Sequence, residues 1–256
     1  MSYLDDLLRS TRNRIEEARS KLTDTALEQR VASAPSPRDL RAALSGEGIS
    51  VIAEIKRATP RAGDLDLGLD AGRVAAAYRD GGAAAISVLT EPDFFKGSLE
   101  DMAAARGAGL PVMRKDFILD PFQVYEARAF GADAVLLIVR ILGDELSDLV
   151  ALTLALKMAP LVEVHTEGDL ERALAAGADL IGVNHRDLDT FEIDPDRTAK
   201  LAPLVPDGTI LVGLSGVSTR DEMQELEQAG AHAALVGESL VTSSDPAAKL
   251  RELLGR

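Results

Sequence analysis

From Ser50 onward the chain alternates between two apolar patterns. Alanine-rich amphipathic stretches with polar positions at helical spacing give way to short unbroken runs of β-branched and aliphatic residues. Four units share one local form, a helical stretch closed by glycine and alanine and then an apolar run: GGAAAISVLT from Gly81, GADAVLLIV from Gly131, GADLIGV from Gly177 and GAHAALVG from Gly230. Glycine there suits the left-handed position that ends a helix, and a run apolar on both faces suits a strand buried in a parallel sheet. The units recur about every 50 residues, and a helix with its strand takes roughly 25, so each interval should hold one further strand. SVIAEIK (50–56), PVMRKDF (111–117), APLVEVH (159–165) and TILVGLSG (209–216) fill those places. Eight near-evenly spaced strands, each followed by a helical pattern, predict an α/β fold, a closed parallel (β/α)8 barrel. The alternative is an open doubly wound sheet, which usually has fewer strands and lacks this fourfold regularity.

Residues 1–48 precede the first strand. Leu4, Leu7, Leu8 and Ile15 stand at helical spacing, and Pro35, Ser36 and Pro37 break the pattern before the helical RDLRAAL. The segment is too short for a stable core of its own. It is expected to be an N-terminal helical extension packed on the barrel, which takes residues 49–256, the whole forming a single domain.

Composition narrows the function. A chain of 256 residues, 46% hydrophobic, can bury a full core. The formal net charge of -14 sets the surface against phosphate backbones and anionic lipid, and no basic run interleaves with aromatics, so no nucleic-acid partner is expected. A small anion stays open, since a few cations in a pocket reverse the local potential. The absence of cysteine excludes disulfides, a thiolate nucleophile and cysteine-bound metal. The N-terminus is charged throughout and no run is long enough to span a bilayer, so a cytoplasmic protein with no membrane partner is expected, as a monomer or weak homo-oligomer. The three histidines, His165, His185 and His232, show no ligand spacing beyond Glu163-x-His165, and neither a metal nor an organic cofactor is expected. His232 reads as a surface residue in a turn.

Charged side chains at the ends of apolar strands need a reason, because burying an unpaired charge is costly. Glu54 and Lys56 stand two apart at the end of the first strand and so share a face. Lys115 closes the third strand, Glu163 and His165 the fifth, Asn184 and Arg186 the sixth. All lie at C-terminal strand ends, the rim on which barrel active sites are built. Simple pairing, of Glu54 with Lys56 and of Lys115 with Asp116 or Glu163, accounts for any one of them. Polar groups at the same end of four strands point instead to a site that binds or reacts. Ser215-Gly216 ends strand seven and Gly237-Glu238-Ser239 ends strand eight, where loops commonly cradle phosphate with backbone N–H groups. These features predict an enzyme acting on a small phosphorylated anion.

AEIKR (53–57) with TPRAG (59–63), SVLTE (87–91) with FKGS (95–98), RKDF (114–117), LVEVH (161–165), the stretch 184–188, Ser215-Gly216 and VGESL (236–240) follow one another as in the indole-3-glycerol-phosphate synthases. The chain resembles that family over essentially its whole length, helical extension included. The resemblance implies a phosphate-binding TIM barrel of tryptophan biosynthesis. Its reaction would be ring closure, decarboxylation and dehydration of 1-(o-carboxyphenylamino)-1-deoxyribulose 5-phosphate to indole-3-glycerol phosphate. It implies Lys115 as the acid on the ketone oxygen, with Lys56, Glu54 and Glu163 for the later proton transfers, either carboxylate serving as base. Arg186 would clamp the substrate carboxylate and Asn184 a ribulose hydroxyl. Phe117, Leu136 and Leu188 would form a slot for the anthranilate ring, with Thr59 and Phe95 beside the substrate. Ser215, Gly216, Gly237, Glu238 and Ser239 would hold the phosphate, with Lys56 nearby.

The chain also departs from the pattern. Leu214 stands where a glutamate normally precedes the Ser-Gly of strand seven, His185 where a small amide or similar residue is usual, Thr59 replaces serine, and Arg61-Ala62 replace a serine-lysine type pair. These changes touch the network around the ribulose chain. They keep a specialised or weakly active paralogue with a modified substrate, and a catalytically silent scaffold, as alternatives. A sister phosphate-barrel isomerase would want a cysteine or aspartate pair, and there is no cysteine.

Overall fold

The computed structural model describes residues 3–60, 62–187 and 189–256. Eight parallel strands close into a barrel: β1 (Ser50–Ile55), β2 (Ala85–Leu89), β3 (Val112–Lys115), β4 (Ala134–Ile138), β5 (Ala159–Val164), β6 (Leu180–Asn184), β7 (Ile210–Leu214) and β8 (Ala233–Val236), with β8 paired back to β1. Each apolar run of the sequence is one of these strands. They form because both faces are buried. Ile52, Met113, Leu136, Leu161, Val212 and Leu235 meet inside the barrel, while the residues between them, such as Val51, Val88 and Val162, face the helices.

Ahead of β1 lie α1 (Tyr3–Lys21), α2 (Asp24–Ser33) and α3 (Leu40–Leu44). Leu7 and Ile15 are the buried leucine and isoleucine of α1, and Leu4 and Leu8 are half-buried. Helix α3 places Leu40 and Leu44 in the same apolar cluster as Ile210 and Ala233, at the N-terminal ends of the strands. The extension therefore closes the barrel floor, and burying two leucines there contributes about 4 kcal/mol. The linker into α3 is fastened by the buried Asp133 carboxylate, which accepts from the Arg38 N–H at 2.7 Å and the Arg106 guanidinium at 2.6 Å.

The crossover helices are α4 (Ala71–Gly81), α5 (Leu99–Ala105), α6 (Pro121–Ala129), α7 (Val139–Leu142), α8 (Leu146–Ala155), α9 (Glu167–Ala175), α10 (Arg197–Leu201) and α11 (Arg220–Gln228), followed by α12 (Glu238–Val241) and α13 (Pro246–Leu254). Asp70, Ser98 and Asp120 cap first turns with their side chains, and Thr166 and Thr219 close capping boxes. Gly131, Gly177 and Gly230 adopt the left-handed conformation at φ 87°, 82° and 99°. In the first unit Gly82, at φ 94°, ends the helix, while Gly81 is its last helical residue and lies against α13. A short antiparallel pair, Ala58–Thr59 with Gly63–Asp64, stands in the loop after β1, where the sequence carries no strand pattern. His232 is exposed, yet its ring Nδ1 accepts the Leu211 N–H at 3.1 Å. No helix among the described residues is long and apolar enough to cross a membrane.

Candidate active site

Parallel closure brings the strand-end residues to one mouth. On β1, the Lys56 ammonium pairs with Glu54 Oε1 at 3.1 Å, both side chains largely buried. On β5, Glu163 is 1% exposed and its Oε1 accepts from the Asn184 amide of β6 at 2.9 Å. His165 approaches the same oxygen at 3.7 Å, and its Nε2 lies 3.2 Å from the Arg186 carbonyl. A carbonyl can only accept, so Nε2 carries a hydrogen, while Nδ1 is buried with no partner among the described residues.

Lys115 behaves differently. It is half-buried at the end of β3, and nothing among the described residues accepts from or pairs with its ammonium. Neither of the two pairings open to Lys115, with Asp116 or with Glu163, forms among the described residues. Asp116 faces outward, where it accepts from Arg114 at 3.0 Å, from Arg14 of α1 at 3.1 Å and from the Thr90 hydroxyl at 2.7 Å. Burial by itself would raise the Asp116 carboxyl, but Arg114 and Arg14 outweigh it and lower it to about 2. Arg114 is taken up by Asp116 and Glu126, which leaves Lys115 as the inward cation of this strand.

Apolar groups flank these charges. Phe95 and Phe117 lie with ring centroids 6.5 Å apart. The Phe95 loop is set by the fully buried Glu91, whose carboxylate accepts three successive N–H groups, from Asp93, Phe94 and Phe95. Leu136 is a floor residue: it pairs in register with Leu161, a layer below Glu163, and Ile138 stands level with Glu163. Thr59 lies in the short hairpin with its hydroxyl accepting from the Ala62 N–H. The Arg186 guanidinium donates to the Phe191 carbonyl at 3.2 Å and carries no ion pair among the described residues. Leu188 lies outside the described residues.

The far side of the mouth is backbone. Ser215 and Gly216 are both left-handed, at φ 70° and 84°. Gly237 lies hard against the β1 pair, since a Cβ there would stand 2.4 Å from Glu54 Oε1 and 3.0 Å from Lys56 Nζ. Just after it, the Ser239 hydroxyl is buried with no partner among the described residues, whereas the Glu238 side chain is exposed, so Glu238 has only its N–H to offer an anion. Among the described residues no group of three or more His, Asp and Glu side chains is arranged to hold a metal ion.

The mouth thus presents paired and unpaired ammoniums, two buried carboxylates, an aromatic wall and a glycine-lined edge. A family model for indole-3-glycerol phosphate synthase matches residues 4–253. This chain belongs to that family. The indole-3-glycerol phosphate synthase of Mycobacterium avium (strain 104) is 48% identical over 99% of this chain and 94% of its own length. That of Mycolicibacterium vanbaalenii is 47% identical over the same shares. Solved barrels share the fold alone: 3-hexulose-6-phosphate synthase aligns at TM-score 0.62 and 16% identity, over 81% of this chain and 99% of that one. Thiamine phosphate pyrophosphorylase from Pyrococcus furiosus aligns at 0.61 and 19%, over 85% and 96%. Membership makes the chain an indole-3-glycerol phosphate synthase-type carboxy-lyase acting on a phosphorylated small molecule, and the sister-isomerase reading is not favoured.

Three residues near the synthase mouth went unassigned in the sequence. Ser87 faces Glu54 in register, its hydroxyl buried without a partner among the described residues. Glu91 organises the Phe95 loop from a motif whose local spacing shows no such task. His185, seen only as a departure from the family pattern, is buried, with both ring nitrogens engaged.

Proposed function

We propose that this chain itself converts 1-(o-carboxyphenylamino)-1-deoxyribulose 5-phosphate to indole-3-glycerol phosphate, with Lys115 as the first acid. The carboxyl-bearing ring carbon attacks the ketone carbon, and Lys115 gives its proton to the oxygen that becomes a hydroxyl. Carbon dioxide then leaves, and the electron pair of the broken carbon–carbon bond restores the aromatic ring. The hydroxyl departs as water with a proton from Lys56, held ready by Glu54, while a carboxylate removes the proton from the neighbouring carbon. Glu163 suits that last task, because a neutral amide holds it whereas Glu54 is taken up by an ammonium.

Arg186 clamps the substrate carboxylate, Asn184 a ribulose hydroxyl, and Phe95 and Phe117 flank the ring, with Leu136 as the floor a layer below and Thr59 at the edge. Phosphate rests on Ser215, Gly216, Gly237, Ser239 and the Glu238 N–H, within reach of Lys56. Residues 1–48 serve as the extension of a single-domain barrel at 49–256. The enzyme works in the cytoplasm as a monomer or weak homo-oligomer, without organic cofactor, metal, nucleic acid or membrane. The observation that carries the reading is the Lys115 ammonium, inward at the rim and without an acceptor among the described residues, since a group kept free of partners is available to a substrate oxygen. Incubation with the substrate should release carbon dioxide and the fluorescent indole product in equal amounts. No product at saturating substrate would overturn the proposal.

A further inference from the structure

Ser215 is a residue with a Cβ in the left-handed region, at φ 70°, followed by a second left-handed residue, Gly216. That conformation is costly for serine and persists only where its surroundings enforce it. The side chain that holds the Ser215 carbonyl is His185. Its Nδ1 lies 3.1 Å from the Ser215 carbonyl oxygen and its Nε2 2.7 Å from the Thr198 hydroxyl of α10. The carbonyl only accepts, so Nδ1 carries the hydrogen, and in the neutral ring Nε2 accepts from Thr198. The ring is neutral by preference: burial lowers its pKa, Arg197 adds to this, and the Ser215 contact and Asp194 oppose it less strongly. The His185 backbone is tied as well, its N–H donating to the Leu214 carbonyl at 2.9 Å and its own carbonyl accepting the Asp194 N–H at 2.9 Å.

The consequence lies on the other side of the peptide. The Ser215–Gly216 bond is trans, so the Gly216 N–H points opposite to the carbonyl that His185 holds. No described residue accepts from that N–H. We propose that His185 is a positioning residue for substrate phosphate: by holding the Ser215 carbonyl it turns the Gly216 N–H toward the phosphate group. This rests on the reading of Ser215 and Gly216 as part of the phosphate cradle. Both His185 ring nitrogens are engaged within the protein, so the residue acts through the Ser215–Gly216 peptide. Its effect falls on binding of the phosphate, which is present equally before and during ring closure, so it acts on KM more than on kcat.

The test compares His185→Ala and His185→Asn, with Gly216→Ala as a control on the cradle. Asparagine keeps an N–H donor near the place of Nδ1; alanine removes it. For His185→Ala the substrate KM and the inhibition constant of inorganic phosphate should both rise about tenfold, the effect of one lost hydrogen bond to an anion, with kcat within about threefold. His185→Asn should recover most of both. His185→Ala values within twofold of wild type, while Gly216→Ala raises both constants, would overturn the His185 assignment alone. If Gly216→Ala also leaves both unchanged, the cradle itself is misplaced. If asparagine fails as alanine does, the donor argument is wrong, and a fall in kcat at constant KM would place His185 in the chemistry instead.

Discussion

The Arg14 guanidinium of α1 stands 3.1 Å from the Asp116 carboxylate, one residue past Lys115. The same carboxylate accepts the Phe117 N–H at 2.9 Å and pairs with Arg114, so the N-terminal helix is tied to the backbone that carries both the unpaired lysine and an aromatic of the wall. Removing one partner of a buried ion pair strands the others.

Asp116→Asn is therefore expected to lower stability at neutral pH by about 3 kcal/mol. The folded carboxyl sits below its ordinary 3.8, at about 2, so its contribution is complete above 3.8 and is lost as the pH falls through 2. Urea midpoints of the two proteins should converge over that acid range. A gap that stays constant from pH 7 to below 2 would show that the Asp116 charge is not what stabilises the wild type.

Gly237→Ala places a methyl 2.4 Å from Glu54 Oε1, 3.0 Å from Lys56 Nζ and 3.1 Å from Glu54 Cβ. The strain falls on the Glu54–Lys56 pair, and displacing it by about an ångström should cut kcat/KM about a hundredfold. Melting temperature should change little by comparison. An alanine variant within twofold of wild type would mean that the pair and the loop are not in functional contact.

The barrel was legible because its signal is local. Runs apolar on both faces bounded by left-handed glycines repeat through the chain, and a period of two places Glu54 with Lys56 on the inward face. What was not legible depends on partners far apart in sequence. Asp116 meets Arg14 across 102 positions, and no local pattern separates the paired Asp116 from the unpaired Lys115 beyond the strand's alternation. His185 reads as a mere departure from pattern until Ser215 and Thr198 are seen on its two nitrogens. Leu214, which replaces a family carboxylate, is 1% exposed and fills the space over Gly182, where a Cβ would come within 2.8 Å of it. Its tolerance rests on that glycine, two residues before Asn184 on the neighbouring strand. The depth of Leu136 is likewise not legible locally: strand register puts it a layer below Glu163.

Asn184→Ala leaves the buried Glu163 carboxylate without its 2.9 Å donor. A hydrogen bond to a charged group contributes about 1.5–3 kcal/mol, so kcat/KM should fall about ten- to a hundredfold, with kcat taking a large share if Glu163 is the base. Steady-state kinetics on the natural substrate decides it. An effect confined to KM would assign Asn184 to the ribulose hydroxyl alone.

The central claim is that the unpaired Lys115 ammonium delivers the proton that closes the ring. The most direct measurement is turnover of Lys115→Ala followed by indole fluorescence, alongside circular dichroism and inorganic-phosphate inhibition to show that fold and phosphate binding persist. A general acid contributes about 10²- to 10⁴-fold, so the variant should retain about a hundredth of wild-type kcat or less with an unchanged phosphate constant. A folded, phosphate-binding variant that kept more than about a tenth of wild-type turnover would contradict the account.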